Sequence, residues 1–300
     1  MSKEIIKVQN FSKSFGEKRV VKDLSFEVHE GEIFAFLGAN GSGKTTTVRC
    51  LLNVLQPTKG DLLINGQPYG PEMSYLLGYL PEERGLYVTS TVLETMVYFG
   101  ELKGMSNKSA SNWTLQYLEK VGLGDKAKEQ IKKLSSGQQQ KIQLGLTIIN
   151  DPKILVLDEP TKGLDPVNRS LLMNSLEELN AKGSTIVFIT HQMDEVEKLA
   201  NRLLMIKDGK KVLYGNVNDV KTQFGENIVH LVFKGKVPEN KQLYNIRHQE
   251  TNYAELEPQD GVNTEKILEY LLKQGTEIRK YEIAAPSLQE IFIMISKDEQ

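Results

Sequence analysis

Over residues 5–8, and then at Leu24, Phe26 and Val28, apolar positions alternate with polar ones, a period of two that predicts strands. A turn at Glu30 and Gly31 leads into 33–37, a fully apolar run that reads as a buried strand. Helical periodicity follows over 45–55, 91–103, 109–121, 138–149, 167–181 and 193–200, with strand patterns at 62–64, 78–80, 154–157 and 184–190 between them. Buried strands alternating with helices predict an α/β domain. A hairpin is expected where 203–206 and 211–214 flank Asp208-Gly209. The texture changes near Val220, which sets expected domains of 1–220 and 221–300. The second reads as strand 228–233, a strand near 253–256, helix 264–274, strand 277–283 and helix 287–295, a small α+β appendage without visible catalytic chemistry.

Composition narrows the function. Of 300 residues, 39% are hydrophobic and 25% charged, an ordinary globular balance that leaves little room for extensive disorder. Lys and Arg number 37 against 39 Asp and Glu, so no broad positive field favours a nucleic-acid backbone, and no nucleic-acid partner is expected. Cys50 is the single cysteine, so no internal disulfide forms, and the segment beginning MSKEIIKVQNF has no apolar core of signal-peptide length. The reducing cytosol fits best. The greasiest segments are strand-sized, so any membrane role is borrowed from a partner. Lys126, Lys128, Lys132 and Lys133, interspersed with Asp125 and Glu129, read as a solvated face, and Cys50 reads as a small core residue.

The chemistry concentrates in Gly38-Ala39-Asn40-Gly41-Ser42-Gly43-Lys44-Thr45, which matches the phosphate-loop pattern and lies between a buried strand and a helix. Its glycines let backbone N–H groups wrap phosphates, the helix start presents its positive end, Lys44 adds a point charge, and the Thr45 hydroxyl can coordinate Mg²⁺. The strand 154–157 runs into Asp158 and Glu159. Beside a phosphate loop, the first carboxylate suits the metal and the second suits a base for the attacking water. Between these motifs, Ser135-Ser136-Gly137-Gln138 has capping-box spacing, and the same helix start could equally hold an anion. Asp165-Pro166 also reads as an N-cap followed by proline at the first helical position. Taken alone, His191 reads as a helix-start residue and Phe15 as core.

In order and spacing these motifs resemble the ATP-binding-cassette (ABC) ATPases over residues 1 to about 220. The resemblance implies a P-loop NTPase fold with Walker A at 38–45, the signature motif at 135–138, Walker B at 154–158, Glu159 as catalytic glutamate, Asp165 in the D-loop and His191 as switch histidine. It implies nucleotide contacts from Phe15, stacking on adenine, from Gly38, Ala39, Asn40, Gly41, Ser42, Gly43, Lys44, Thr45 and Thr46, and from Ser135, Ser136, Gly137, Gln138 and Asp165. Thr45, Asp158 and Glu82 are the implied metal residues. Two positions depart from the family. Ser136 stands where LSGGQ has glycine, and Pro81-Glu82-Glu83-Arg84 puts Glu82 where a glutamine usually stands.

The resemblance further implies ATP and Mg²⁺ as ligands and a head-to-tail homodimer or cassette heterodimer closed by ATP. It implies a separately encoded transmembrane permease, and a place on the inner face of the cell membrane through that partner. Residues 286–292, Pro-Ser-Leu-Gln-Glu-Ile-Phe, resemble the appendage of exporters of antibiotics, sodium or peptides. The competing expectation is a soluble ABC ATPase of DNA repair or translation. That class carries a coiled-coil insertion or two cassettes, whereas this sequence has one phosphate loop and no long heptad run.

Overall fold

A computed structural model describes residues 3–83, 85–225 and 228–297. They divide into two units between Asn216 and Val217. The first opens with two long strands, β1 (Glu4–Phe15) and β2 (Lys18–His29), then β3 (Ile33–Leu37), α1 (Lys44–Leu51) and β4 (Lys59–Ile64). There follow β5 (Leu77–Leu80), α2 (Val92–Leu102), α3 (Asn107–Lys120), α4 (Ser136–Ile148), β6 (Ile154–Asp158) and α5 (Pro166–Ala181). The unit ends with β7 (Thr185–Thr190), α6 (Met193–Leu199), β8 (Arg202–Lys207) and β9 (Lys210–Asn216).

Two sheets result. β2, β1 and β4 pair antiparallel in that order, whereas the main sheet runs β5-β6-β7-β3-β8-β9, parallel except for the β8–β9 hairpin. Every residue of β3, β6 and β7 is buried, with polar residues only at the ends of β6 and β7, as in strands covered on both faces. Phe26 of β2 stacks on Phe34 of β3 with ring centroids 5.8 Å apart, and a core of Val8, Phe11, Phe36, Val156 and Ile189 continues from there. α4 packs on β5 and α5 on β7. The strand expected at 62–64 within the α/β alternation instead joins the two N-terminal strands in a separate antiparallel sheet.

The order β6-β7-β3 positions the chemistry. Leu37 pairs with Thr190 and Asp158 with Ile189, so three adjacent parallel strands end at the same level. The loops that follow them meet beyond their carboxyl ends, where open α/β sheets bind ligands.

The first helix stops at Leu51 rather than running to 55, because Asn53 adopts a left-handed conformation (φ 56°) that no continuing helix accepts. The hairpin turn has both Asp208 (φ 50°) and Gly209 (φ 78°) left-handed, as a two-residue turn matching the strand twist requires.

The second unit comprises α7 (Val217–Thr222), β10 (Ile228–Lys234), β11 (Tyr244–Gln249), β12 (Tyr253–Pro258), α8 (Thr264–Lys273), β13 (Glu277–Ala284) and α9 (Leu288–Lys297). Its antiparallel sheet runs β11-β12-β10-β13, and Val229, Leu231, Phe233, Ala254 and Leu256 pack with Ile267 and Leu271 of α8. β11 and α7 have no counterpart in the sequence reading. The division at 216 assigns all of α7, including the buried Val220, to this unit. Among the described residues, no helix is long and apolar enough to cross a membrane.

Candidate active site

A cavity of about 630 Å³ lies against the phosphate loop, lined by Asn40, Gly41, Gly43, Lys44, Thr45 and Thr46, and by Glu82, Asp158 and Glu159. Only glycine fits two of the loop positions. A Cβ on Gly38 (φ 153°) would stand 2.4 Å from the Ile206 carbonyl oxygen, and one on Gly43 (φ 109°) would stand 2.9 Å from Val21 Cγ2. Gly38, Ala39 and Ser42 shape the loop without lining the cavity, and the Ser42 hydroxyl is buried without a hydrogen-bond partner. The buried Lys44 ammonium donates to the carbonyls of Gly38 (2.6 Å) and Ala39 (3.1 Å). Desolvation lowers its pKa, opposed by the charges of Glu159, Asp158 and Glu82.

Across the cavity Asp158, at the end of β6, is 1% exposed. Burial above all raises its carboxyl to about 6; the Thr45 hydroxyl and Lys44 oppose the rise, and the charges of Glu82 and Glu159 reinforce it. Neither carboxylate oxygen has a partner at hydrogen-bond geometry, so Thr45 is near enough to act electrostatically without closing a bond.

Glu159 follows in a left-handed conformation (φ 50°), rare for a side chain of its size, and its N–H donates to the Ile189 carbonyl. This kink ends β6 and sets the carboxylate beside the end of β7. There Glu159 Oε1 lies 2.8 Å from His191 Nδ1, while Oε2 is buried and unpartnered. Glu82, after β5, lines the same cavity and pairs with Lys162 at 2.6 Å. Arg84, the last residue of that segment, lies outside the described residues.

Other sequence-derived candidates stand apart. Ser135 caps α4, its hydroxyl accepting from Gln138 N–H while Gln138 Oε1 accepts from Ser135 N–H, so the capping reading is realised. Asp165 caps α5 by accepting from Asn168 N–H at 2.9 Å, a bond that holds its carboxyl below the usual range. Neither these residues nor Ser136 and Gly137 line the cavity of their own chain. Phe15 is 49% exposed at the end of β1, outside the cavity, with the Lys13 ammonium 4.8 Å from its ring centroid. Lys18, Arg19 and Lys22 of β2 do line the cavity and were not anticipated, because cations on an alternating strand look like its solvent face.

A glycine loop between a buried parallel strand and a helix, sharing one cavity with two acids at the end of β6, one strand beyond its neighbour β7, defines a phosphate-loop nucleotide-binding protein. Comparison with known proteins agrees: the ABC transporter family matches residues 21–162, and the family described as ATP-binding protein DrrA1-3-like, C-terminal domain, matches 215–296. An uncharacterised ABC transporter ATP-binding protein of Bacillus subtilis is 35% identical over 297 residues, 96% of this chain and 97% of its own. Nod factor export ATP-binding protein I of Cupriavidus pinatubonensis is 36% identical over 231 residues, 76% of this chain and 71% of its own. A solved ATP-binding subunit of an ABC transporter superimposes with a TM-score of 0.69 at 28% identity, covering 74% of this chain and 93% of that one. The chain belongs to the ABC transporter ATP-binding proteins. It binds ATP and is an ATPase.

Proposed function

We propose that this subunit powers an exporter, hydrolysing MgATP in a head-to-tail dimer and passing the closing and opening of that dimer to a separate membrane-spanning permease. The observation that carries the hydrolytic part is the 2.8 Å contact between Glu159 Oε1 and His191 Nδ1, which leaves Oε2 free beside the phosphate loop. With its Nδ1 protonated, His191 donates to Oε1 and holds the carboxylate in place. Glu159 Oε2 takes the proton from a water molecule as its oxygen attacks the γ-phosphorus, and the bond from that phosphorus to the ADP oxygen breaks. Lys44 and the loop N–H groups bind the phosphates and stabilise their charge.

Asp158, Thr45 and Glu82 fit a Mg²⁺ ion, because they offer oxygen donors and because both oxygens of the buried Asp158 carboxylate lack a hydrogen-bond partner. When bound, the ion supplies charge neutralisation on the phosphates. Lys18, Arg19 and Lys22 add positive charge to the same cavity, and Phe15 remains the proposed adenine platform.

The dimer reading accounts for the helix start at 135–138 and for Asp165, which contribute nothing to the cavity of their own chain. Each would complete the cavity of the opposite copy, the N-terminus of α4 facing its phosphates. Export is supported by the likeness to a Nod factor export ATP-binding protein and by the C-terminal family match. A permease is supported by the exposed rings of Tyr87 and Tyr98, which with Phe99 form an apolar patch shortly after Glu82. Such a partner places the subunit on the cytoplasmic face of the membrane, with 217–300 as the exporter-type appendage.

The test is size-exclusion chromatography of Glu159→Gln, which retains ATP. A shift from monomer to dimer is expected with MgATP, absent with ADP, and abolished by adding Ser135→Arg. Dimerisation unaffected by Ser135→Arg would remove 135–138 from the shared site, and co-purification from solubilised membranes without a helical membrane subunit would count against the permease.

A further inference from the structure

The second unit carries a group of ionisable side chains unrelated to the nucleotide cavity. In the antiparallel ladder of β10 and β12, His230 and Glu255 are direct cross-strand partners, so the register alone places both side chains on one face of the sheet. The neighbouring positions Val229, Leu231, Ala254 and Leu256 occupy the other face, against α8. Glu290, in the first turn of α9, reaches the same place from a third element. Its position is fixed by a reciprocal cap in which Ser287 N–H donates to Glu290 Oε2 and Glu290 N–H donates to Ser287 Oγ.

Potential ligand atoms of His230, Glu255 and Glu290 all lie within 4.8 Å of one another. Glu255 is 5% exposed, and the His230 and Glu290 side chains are 16% exposed. The Tyr253 hydroxyl links two of them, donating to Glu255 Oε1 at 3.0 Å and lying 2.7 Å from His230 Nδ1.

The charge balance of this cluster is unusual. Two carboxylates meet in a largely buried place, and among the described residues no lysine or arginine forms an ion pair with either. The nearby Arg247 is paired with Glu257 instead. Burial, then the hydrogen bond and charge of Glu290, push the Glu255 carboxyl well above its ordinary range. Paired buried acids either share a proton or hold a cation. For a cation, an imidazole beside two carboxylates favours a particular kind of ion, since Mg²⁺ and Ca²⁺ prefer all-oxygen sites while zinc and its neighbours accept nitrogen and oxygen together. A cavity of about 690 Å³, bordered by Glu255, Glu290, His248 and Met294, supplies the entry path and room for solvent ligands.

We propose that His230, Glu255 and Glu290 form a binding site for a divalent transition-metal ion, best matched by Zn²⁺, that pins α9 to strands β10 and β12. Its occupancy stabilises the second unit by mass action, as any ligand selective for the folded state does.

The test is titration of the full chain, stripped with chelator and free of nucleotide, with Zn²⁺ and separately with Mg²⁺. Parent, His230→Ala and Glu255→Gln are compared by calorimetry and by thermal unfolding. The acids of the nucleotide cavity are unchanged in all three, so zinc taken up there cancels in the comparison. The parent is expected to bind one more equivalent of Zn²⁺ than either variant and to show a zinc-dependent rise in unfolding temperature that both variants lose. Equal stoichiometry in the three proteins overturns the site, and loss of an equal Mg²⁺ equivalent overturns its preference for a transition metal. Should Glu255→Gln lose its folded far-UV spectrum, His230→Ala, which leaves the acid pair in place, decides the question alone.

Discussion

Asp158→Asn should make the metal-free protein more stable at pH 8 while removing its response to Mg²⁺. The carboxylate is buried with neither oxygen hydrogen-bonded, and burial lifts it from 3.8 to about 6. Between those values the folded chain holds a proton that the unfolded chain has released, so stability falls as pH rises through the window and stays low above it. At about 1.4 kcal/mol for each pH unit, the loss is roughly 3 kcal/mol. Asparagine has no charge to bury and escapes it. In a unit of 216 residues, where 1 kcal/mol moves the midpoint by about 2–4 °C, Asp158→Asn should unfold roughly 6–12 °C higher at pH 8, with the gap closing toward pH 4. The assay is thermal unfolding of both proteins in EDTA from pH 4 to 8, repeated with MgATP, which should stabilise the parent more than the variant. Parallel pH profiles for the two proteins, or a variant less stable at pH 8, would show that the Asp158 charge is compensated in the fold and would refute the reasoning.

Two further outcomes are expected. Glu82→Gln breaks only an exposed ion pair with Lys162, so its stability should stay within about 0.5 kcal/mol of the parent. The variant should retain ATPase activity with an altered Mg²⁺ dependence, and a metal titration that overlays the parent's would place Glu82 away from the ion. Residues 1–216 expressed alone should fold and bind ATP, since every nucleotide motif precedes β10 and the division falls after β9. A folded far-UV spectrum without ATP binding would contradict that division.

The strands that carry the site are legible in the sequence because a parallel sheet covered on both faces favours apolar side chains throughout, and 33–37, 154–157 and 186–189 are written as unbroken apolar runs. The caps at Ser135 and Asp165 are legible because side chain and N–H lie three residues apart. β11 is not, since it is an edge strand with only Tyr244 of its six residues buried, which leaves no period to detect. Lys18, Arg19 and Lys22 could not be assigned to the cavity, because only the packing of β2 beside the phosphate loop brings them there. His230 and Glu255 are 25 residues apart, and nothing short of the strand register makes them neighbours. The left-handed Glu159 is a further feature without a sequence signal, since glycine is the residue that ordinarily announces such a conformation.

The claim at the centre of this account is that Glu159 activates the attacking water. It is tested most directly by measuring turnover and ATP binding together in Glu159→Gln, which preserves size and hydrogen bonding but removes the basic charge. Lys44, Thr45, Asp158 and the loop N–H groups remain to hold MgATP, so affinity for the nucleotide should stay near the parent's. Turnover should fall by roughly 10² to 10⁴, the usual contribution of a positioned base. Turnover close to the parent's with ATP still bound would contradict the account and remove Glu159 from the role of base.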